Sequence, residues 1–320
     1  MRRFYAFNGD ADGLCALQQL RLADPRDATL VTGVKRDIKL LQRISAHAGD
    51  DITALDVSLD QNRTDLQRLL AEGASVRYFD HHYAGDRPEH SGLELHIDES
   101  ADVCTSILVD RYLGGRYRAW AITAALGDNL ADVAHDMARV AGMSSATMVV
   151  LEMLGTCLNY NAYGESIADL HIDPAELARH MLSFADPVDF ATSSRIYARL
   201  AAGYHADMEQ ACLFLPAHQR AGVTVMVMPN AAWARRAMGV LANHRIREQP
   251  DHALAILSPK SEGGFSVSVR VPASAPASAA DFCRAFETGG GRKLAGGINH
   301  LPDADVERFI ANFDGCFSRH

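Results

Sequence analysis

The 320-residue chain lacks three features that would have pointed to particular classes of function. No uncharged apolar run approaches the roughly 18–20 residues that a membrane-spanning helix needs. The two arginines at positions 2 and 3 meet Asn8-Gly9-Asp10 too soon for a signal-peptide core, so a cytoplasmic protein with no membrane partner is expected. Its six cysteines, at 15, 104, 157, 212, 283 and 316, are scattered with no CxxC pair. That pattern excludes a zinc ribbon and argues against a disulfide framework, leaving buried or idle thiols in a reducing compartment. No basic block exceeds two adjacent residues, and 31 Lys and Arg against 40 Asp and Glu leave a net charge of −9. Long duplex nucleic acid draws most of its affinity from phosphate neutralisation, so it is disfavoured as a ligand. A small phosphorylated ligand needs only two or three basic groups, and an acidic balance suits a site that concentrates divalent cations.

What is present is an ordinary globular composition, 48% hydrophobic and 22% charged, at a length near two domains. Over the first 80 residues short apolar runs alternate with helix-like stretches. Strands are predicted at 4–7, 28–34, 52–55 and 75–79, and helices at 13–22, 37–46 and 62–71. This alternation with short connections predicts a parallel sheet covered by helices. From 101 to about 203 the pattern is mostly helical, with segments at 103–113, 117–125, 131–140, 146–154 and 174–184. The segment 119–126 reads equally as helix or strand. After Gly203, strands are predicted at 223–228, 253–257 and 265–271, with a helix at 231–246 and another ending near Glu287. The boundary is placed near 190–210, dividing the chain into 1–195, a linker at 196–210, and 211–320. The pairs Lys35-Arg36 and Arg235-Arg236 read as solvated surface charges, and Trp120 and Trp233 as packing residues.

Three predicted strands end in carboxylates. Phe4 to Phe7 leads into Asn8-Gly9-Asp10-Ala11-Asp12-Gly13, the second into Asp56, and the third into Asp80-His81-His82. Parallel strands point one way, so these residues gather at the carboxyl edge, where open α/β sheets form their ligand crevices. Crowded like charges are costly unless cations compensate them. Oxygen and imidazole donors together suit Mn²⁺, Mg²⁺, Fe²⁺ or Zn²⁺. Each acid also has a plainer reading: Asp10 as a helix cap, Asp56 as a strand terminus, and Asp128 in Gly127-Asp128-Asn129 as a helix terminus. It is their coincidence that points to a metal centre.

Taken in order, Asp10-x-Asp12-Gly13, Asp56, Asp80-His81-His82 and Gly127-Asp128 resemble the four motifs of the DHH phosphoesterase superfamily. Ser266 to Arg270 and the Gly289-Gly290-Gly291-Arg292-Lys293-Leu294-Ala295-Gly296-Gly297 loop resemble the two signatures of its associated C-terminal domain. The resemblance covers essentially the whole chain. It implies an α/β protein in which a parallel-sheet catalytic domain with a helical linker region precedes a smaller α/β substrate-binding domain, with the metal site in the cleft between them. It implies two Mn²⁺ ions, with Mg²⁺ or another divalent metal as the alternative. Asn8, Asp10 and Asp56 would hold one ion, and Asp12, Asp56, His81 and Asp128 the other. Asp56 would bridge them, His82 would lie near the phosphate, and Asp80 would support the histidines. Asp56, Asp80, His81 and His82 are therefore the expected catalytic set.

Two positions depart from the family pattern. Asn8 stands where His or Asp is common, and an amide oxygen is a weaker ligand that adds no charge. Arg292 stands where many members have His after the glycines, and its fork suits phosphate. A Gly-rich segment is ordinarily a turn, but with Arg292 and with Arg270 on the neighbouring strand, Gly289, Gly290 and Gly291 would make an anion grip. The expected activity is hydrolysis of short oligonucleotides or linear dinucleotides, with 3′-phosphoadenosine 5′-phosphate as a further substrate. A pyrophosphatase or exopolyphosphatase is the alternative enzyme, and a weakly catalytic metal- or nucleotide-binding regulator the alternative of another class. No interface pattern is evident, and a homodimer stays open.

Overall fold

The computed structural model describes residues 1–318. These residues form two compact units, 1–204 and 205–318.

The first unit is built on five parallel strands: β1 (Arg3–Phe7), β2 (Thr29–Val31), β3 (Asp51–Leu55), β4 (Ser75–Asp80) and β5 (Leu93–Ile97), in the order β2-β1-β3-β4-β5. Its helices are α1 (Ala11–Ala23), α2 (Leu59–Ala71), α3 (Thr105–Tyr112), α4 (Arg118–Gly127), α5 (Ala131–Val140), α6 (Ser145–Asn161), α7 (Pro174–Met181) and α8 (Pro187–Ser193). The helix α9 (Arg195–Leu213) follows, and the boundary between the units falls inside it, so the segment 196–210 expected as a linker is helical. The central strands are largely apolar toward their carboxyl ends because both faces of the sheet are covered there. Tyr5, Phe7, Leu55 and Phe79 join one core with α1, α3, α4 and α6. Phe4, Ala6, Ile52, Ala54, Val76 and Tyr78 join another with α2.

The predicted helix at 37–46 is corrected. Only Leu41–Arg43 makes a single 3-10 turn there. The side chains of α2 satisfy this segment's backbone instead. Asn62 accepts from Leu41 N at 3.2 Å and donates to Ile38 O at 2.6 Å, while Arg68 donates to the carbonyls of Leu41 and Ile44. Leu40, Leu41 and Ile44 remain buried without a helix. The ambiguous segment 119–126 is helical, inside α4.

The second unit holds β6 (His218–Arg220), β7 (Val223–Val227), β8 (Ala253–Pro259), β9 (Phe265–Arg270), β10 (Gly289–Gly291) and β11 (Ala295–Leu301), in the order β10-β11-β9-β8-β7-β6. Only β7 and β8 pair in parallel. The helix α10 (Ala232–Glu248) covers one face, while α11 (Ala279–Arg284) and α12 (Val306–Phe317) cover the other. Along β8 the side chains alternate, Ala253, Ala255 and Leu257 to one core and Leu254 and Ile256 to the other.

All six cysteines are free. Trp120 is fully buried against Phe190, and Trp233 packs on Phe214. Arg236 is not a solvated surface charge: with Asp207 it forms a buried two-pronged pair at 2.7 and 3.0 Å. Among the described residues no helix is long and apolar enough to cross a membrane.

Candidate metal centre

The strand order itself creates the crevice. From β1 the chain runs to β2 on one side and then crosses to β3 on the other, so the carboxyl ends of β1 and β3 flank a topological switch point. The parallel register sets Phe7 beside Leu55 and Leu55 beside Phe79. The ladder runs one residue further, with Asn8 N donating to Leu55 O and Asp56 N to Phe79 O. Asn8, Asp56 and Asp80 therefore stand side by side at one edge. All three are almost fully buried, as are Asp10 and Asp12.

Asp10 fills its plainer role as well as standing in the site: it caps α1, and its Oδ1 accepts from the N–H groups of Asp12 and Gly13 at 3.1 and 3.2 Å. Gly13 has to be glycine, since a Cβ there would lie 2.1 Å from Asn8 O. Asp12, in the first turn of α1, reaches across to cap α3. Its two carboxylate oxygens accept from Thr105 N and Ser106 N, both at 2.7 Å. Asp56 adopts φ 57°, a left-handed conformation uncommon outside glycine, Asn and Asp. Asp128 closes α4, carried to the site by a close helix crossing. A Cβ on Gly127 would lie 2.6 Å from Ala11 Cβ and 2.8 Å from Gly155 O.

His81 Nε2 lies 3.5 Å from Asp56 Oδ1 and 4.0 Å from Asp12 Oδ2. The donor atoms of Asp12, His81 and Asp128 lie within 4.8 Å of one another, as do those of Asp56, His81 and His82. Asp80 anchors the histidine loop. Its Oδ1 accepts from the backbone N–H groups of His81 and His82 and meets His82 Nδ1 at 2.7 Å, and its Oδ2 accepts from Leu59 N. Two residues outside the expected set join in: Thr105 Oγ1 donates to Asp56 Oδ1 at 3.4 Å, and Lys35 enters as described below.

Burial pushes the Asp56 carboxyl well above the usual carboxylate range, and the charges of Asp10, Asp12, Asp128 and Asp80 push the same way. Asp128 is pushed up to about 6, first by burial and then by Asp12 and Asp10, against the pull of Lys35 and His81. Burial also acts to raise Asp10, but the Lys35 charge and hydrogen bonds from Lys35 and Gly13 turn it downward. The hydrogen bond to Asp80 raises His82 despite the opposing effect of burial. Such a concentration of unneutralised carboxylates is what a bound cation relieves.

The donor set of Asp12, Asp56, His81 and Asp128 fits a divalent ion: three carboxylates and an imidazole, partly desolvated and mutually repelling. The Asn8–Asp10 position fits less well. Asn8 Oδ1 is buried with no hydrogen-bond partner among the described residues, which suits a ligand atom. The expectation that Lys35 is a solvated surface charge is, however, corrected. Lys35 Nζ pairs with Asp10 Oδ2 at 2.7 Å and donates to Asn159 Oδ1 at 3.2 Å. The signal was its place four residues beyond the end of β2, the strand beside β1, whose carboxyl end reaches the same edge.

In the second unit the expected glycine loop is corrected to a hairpin. Gly289, Gly290 and Gly291 form β10, paired with Ile298, Gly297 and Gly296 of β11. Arg292 N donates to Ala295 O, closing a turn that leaves the Arg292 side chain exposed. Two of the glycines are required by their surroundings: a Cβ on Gly289 would lie 1.7 Å from Cys283 O, and Gly291 has φ 141°, whereas a Cβ on Gly290 would meet nothing. Arg270 pairs in register with Ala295, at the same end of the sheet, and its guanidinium reaches Asn243, Ser268 and Val269 O.

No family model and no curated protein matches the chain. Solved structures do. An exonuclease RecJ bound to manganese superposes with a TM-score of 0.64 at 17% identity, covering 98% of this chain and 89% of RecJ. RecJ from Thermus thermophilus in complex with Mn²⁺ gives 0.60 at 20% identity, and 98% of this chain spans 51% of that longer protein. PggH from Vibrio cholerae, a pGpG-specific phosphodiesterase, gives 0.57 at 14% identity over 99% of this chain and 100% of PggH. At these identities the likeness is one of fold, and the expected α/β architecture is the one found: the chain has the fold of RecJ and PggH, two members of the DHH superfamily.

Proposed function

We propose that this chain is a divalent-metal-dependent phosphoesterase that hydrolyses small phosphorylated substrates, with linear dinucleotides and short oligonucleotides as the substrate class. The observation that carries this reading is the pair of donor triads that share His81 at the sheet's switch point, Asp12-His81-Asp128 and Asp56-His81-His82, with Asp56 and Asp128 held far from their ordinary protonation by burial and mutual repulsion. The fold of an exonuclease solved with manganese and of a pGpG phosphodiesterase supports the nucleotide class.

A bound divalent ion supplies Lewis acidity to the phosphoryl oxygen and lowers the pKa of water toward neutrality. The chain's residues do the rest. Asp12 is held rigid by the α3 N–H groups, Asp56 by its left-handed backbone and Asp128 by the α4 end, so the donor geometry is preorganised. Asp80 orients His82 through Nδ1, leaving Nε2 for substrate. Because the same hydrogen bond raises the His82 pKa, His82 holds a proton for the leaving oxygen. Arg270 and Arg292 supply the phosphate grip, with the β10–β11 hairpin presenting Arg292.

The test is Mn²⁺-supplemented hydrolysis of a 5′-phosphorylated RNA dinucleotide, with Asp56→Asn as control. Release of mononucleotides by wild type alone supports the reading. Turnover retained in Asp56→Asn refutes the site. Tight Mn²⁺ binding with no release from dinucleotide, pyrophosphate or phosphomonoester favours the regulator instead.

A further inference from the structure

The Asn8–Asp10 end of the centre already holds a cation that belongs to the chain. Asp10 spends Oδ1 on capping α1 and Oδ2 on the Lys35 ammonium at 2.7 Å. That ammonium is fixed from several sides. Its Nζ donates to Asn159 Oδ1 and lies 5.8 Å from the Tyr163 ring centroid, while Asn159 Nδ2 donates to Tyr163 OH at 3.0 Å. The backbone is pinned too, with Lys35 N donating to Ala162 O at 2.9 Å. Both tight groups of ligand atoms at this edge include His81, and neither includes Asp10.

The charges agree with the geometry. At the position where the family pattern places His or Asp, this chain has the neutral amide of Asn8, and the Lys35 ammonium pairs with the neighbouring Asp10. A divalent ion held by Asn8, Asp10 and Asp56 would find Asp10 already neutralised, a neutral amide at Asn8, only the shared Asp56 carboxylate left to it, and a fixed positive charge in contact with its ligand. Asn8 Oδ1, buried and without a partner among the described residues, is the single strong argument for an ion there, and one amide oxygen binds divalent cations weakly.

We propose that the Lys35 ammonium is the resident cation of the Asn8–Asp10 position, so that the centre takes one divalent ion, on Asp12, Asp56, His81 and Asp128, where two were expected. This rests on the metal-dependent reading above and deepens it. The lysine supplies a positive charge that chelators cannot remove, beside the single exchangeable ion.

The experiment is metal stoichiometry. Protein stripped with chelator is titrated with Mn²⁺ by calorimetry, and the bound ion is counted after desalting and examined by electron paramagnetic resonance. The expected result is one tight Mn²⁺ per chain with the six-line spectrum of an isolated ion. Lys35→Met and Lys35→Ala, checked for folding by circular dichroism, should gain a second ion, bound about tenfold or more tighter than any second ion in wild type, with the spectrum of a coupled pair. Two ions of similar affinity in wild type overturn the proposal, even if neither variant folds, and leave the metal reading standing. A single ion in wild type and in folded Lys35 variants alike also overturns it, since the lysine would then not govern occupancy. Absence of any bound ion in wild type is a separate outcome that refutes the metal reading itself.

Discussion

Removing one carboxylate from the centre should make the metal-free protein more stable. Asp128 has an ordinary pKa of 3.8 and is pushed up to about 6 in the folded chain. A carboxyl whose folded pKa lies above its unfolded value binds more protons folded than unfolded between those two values, so stability falls as pH rises through that window. The penalty is absent below about pH 4, complete above about pH 6, and amounts to about 3 kcal/mol at about 1.36 kcal/mol per pH unit. At pH 5 about half remains by the same linkage. Asp128→Asn removes the charge at nearly constant volume. Chelator-treated Asp128→Asn should therefore exceed wild type by about 3 kcal/mol at pH 7.5 and by about half that at pH 5 in urea denaturation. In thermal scans the pH 7.5 difference corresponds to about 6 °C or more for a unit of this size. Saturating Mn²⁺ should reverse the ranking, since an ion present at about 1,000 times its dissociation constant adds about 4.1 kcal/mol to the protein that binds it. A gain that is the same at pH 5 and 7.5, or a loss at pH 7.5 without metal, would refute the electrostatic account.

Other consequences are equally concrete. Apparent Mn²⁺ affinity should fall below about pH 6, because the ion must displace the Asp128 proton and, more strongly, the Asp56 proton. Calorimetry in buffers of different ionisation enthalpy should show protons released on binding at pH 6, and none released there would contradict it. Gly13→Ala forces a Cβ into Asn8 O and should cost about 1–3 kcal/mol while displacing Asp10 and Asp12, so urea midpoint and Mn²⁺ affinity should fall together. Asn62→Ala should destabilise by about 1–3 kcal/mol by orphaning the backbone of the 38–41 segment, with Mn²⁺ affinity little changed. Arg292→Ala should raise KM for a dinucleotide while leaving Mn²⁺ binding intact, and an unchanged KM would remove Arg292 from the phosphate grip.

Much of the architecture could be read before any coordinates because local chemistry and tertiary role agreed. The strands β1, β3 and β4 bury most of their side chains, so largely apolar runs announce them, and the residue after each run is bound for the carboxyl edge. Where the two disagreed, the reading slipped. The 37–46 segment has helical spacing of Leu40, Leu41 and Ile44, but Asn62 and Arg68 satisfy its backbone from another element. The edge strand β5 was missed because its alternating Leu93, Glu94, Leu95, His96 and Ile97 carry a half-exposed pattern, and α12 was missed although Phe309, Phe313 and Phe317 repeat every four residues. The three glycines signal flexibility, yet Gly289 and Gly291 are glycine because β10 lies against Cys283 and β11 too closely for a side chain at either position, while Gly290 faces open space.

The acids, the histidines and their order along the chain are local facts, and a parallel sheet sends strand-end residues to one edge whatever the details. That edge, its crowding of negative charge and its suitability for a cation follow from the residues alone. Lys35 shows what does not follow. Its neighbours Asp10, Asn159 and Tyr163 are 25, 124 and 128 positions away in the chain, and nothing in the segment around it separates a solvated lysine from a half-buried, paired one. The pairing of β2 with β1, and the hydrogen bonds from Lys35 to Ala162 O and Asn159 Oδ1 at the end of α6, turn a surface charge into part of the centre. Long-range partners set the balance of charge there.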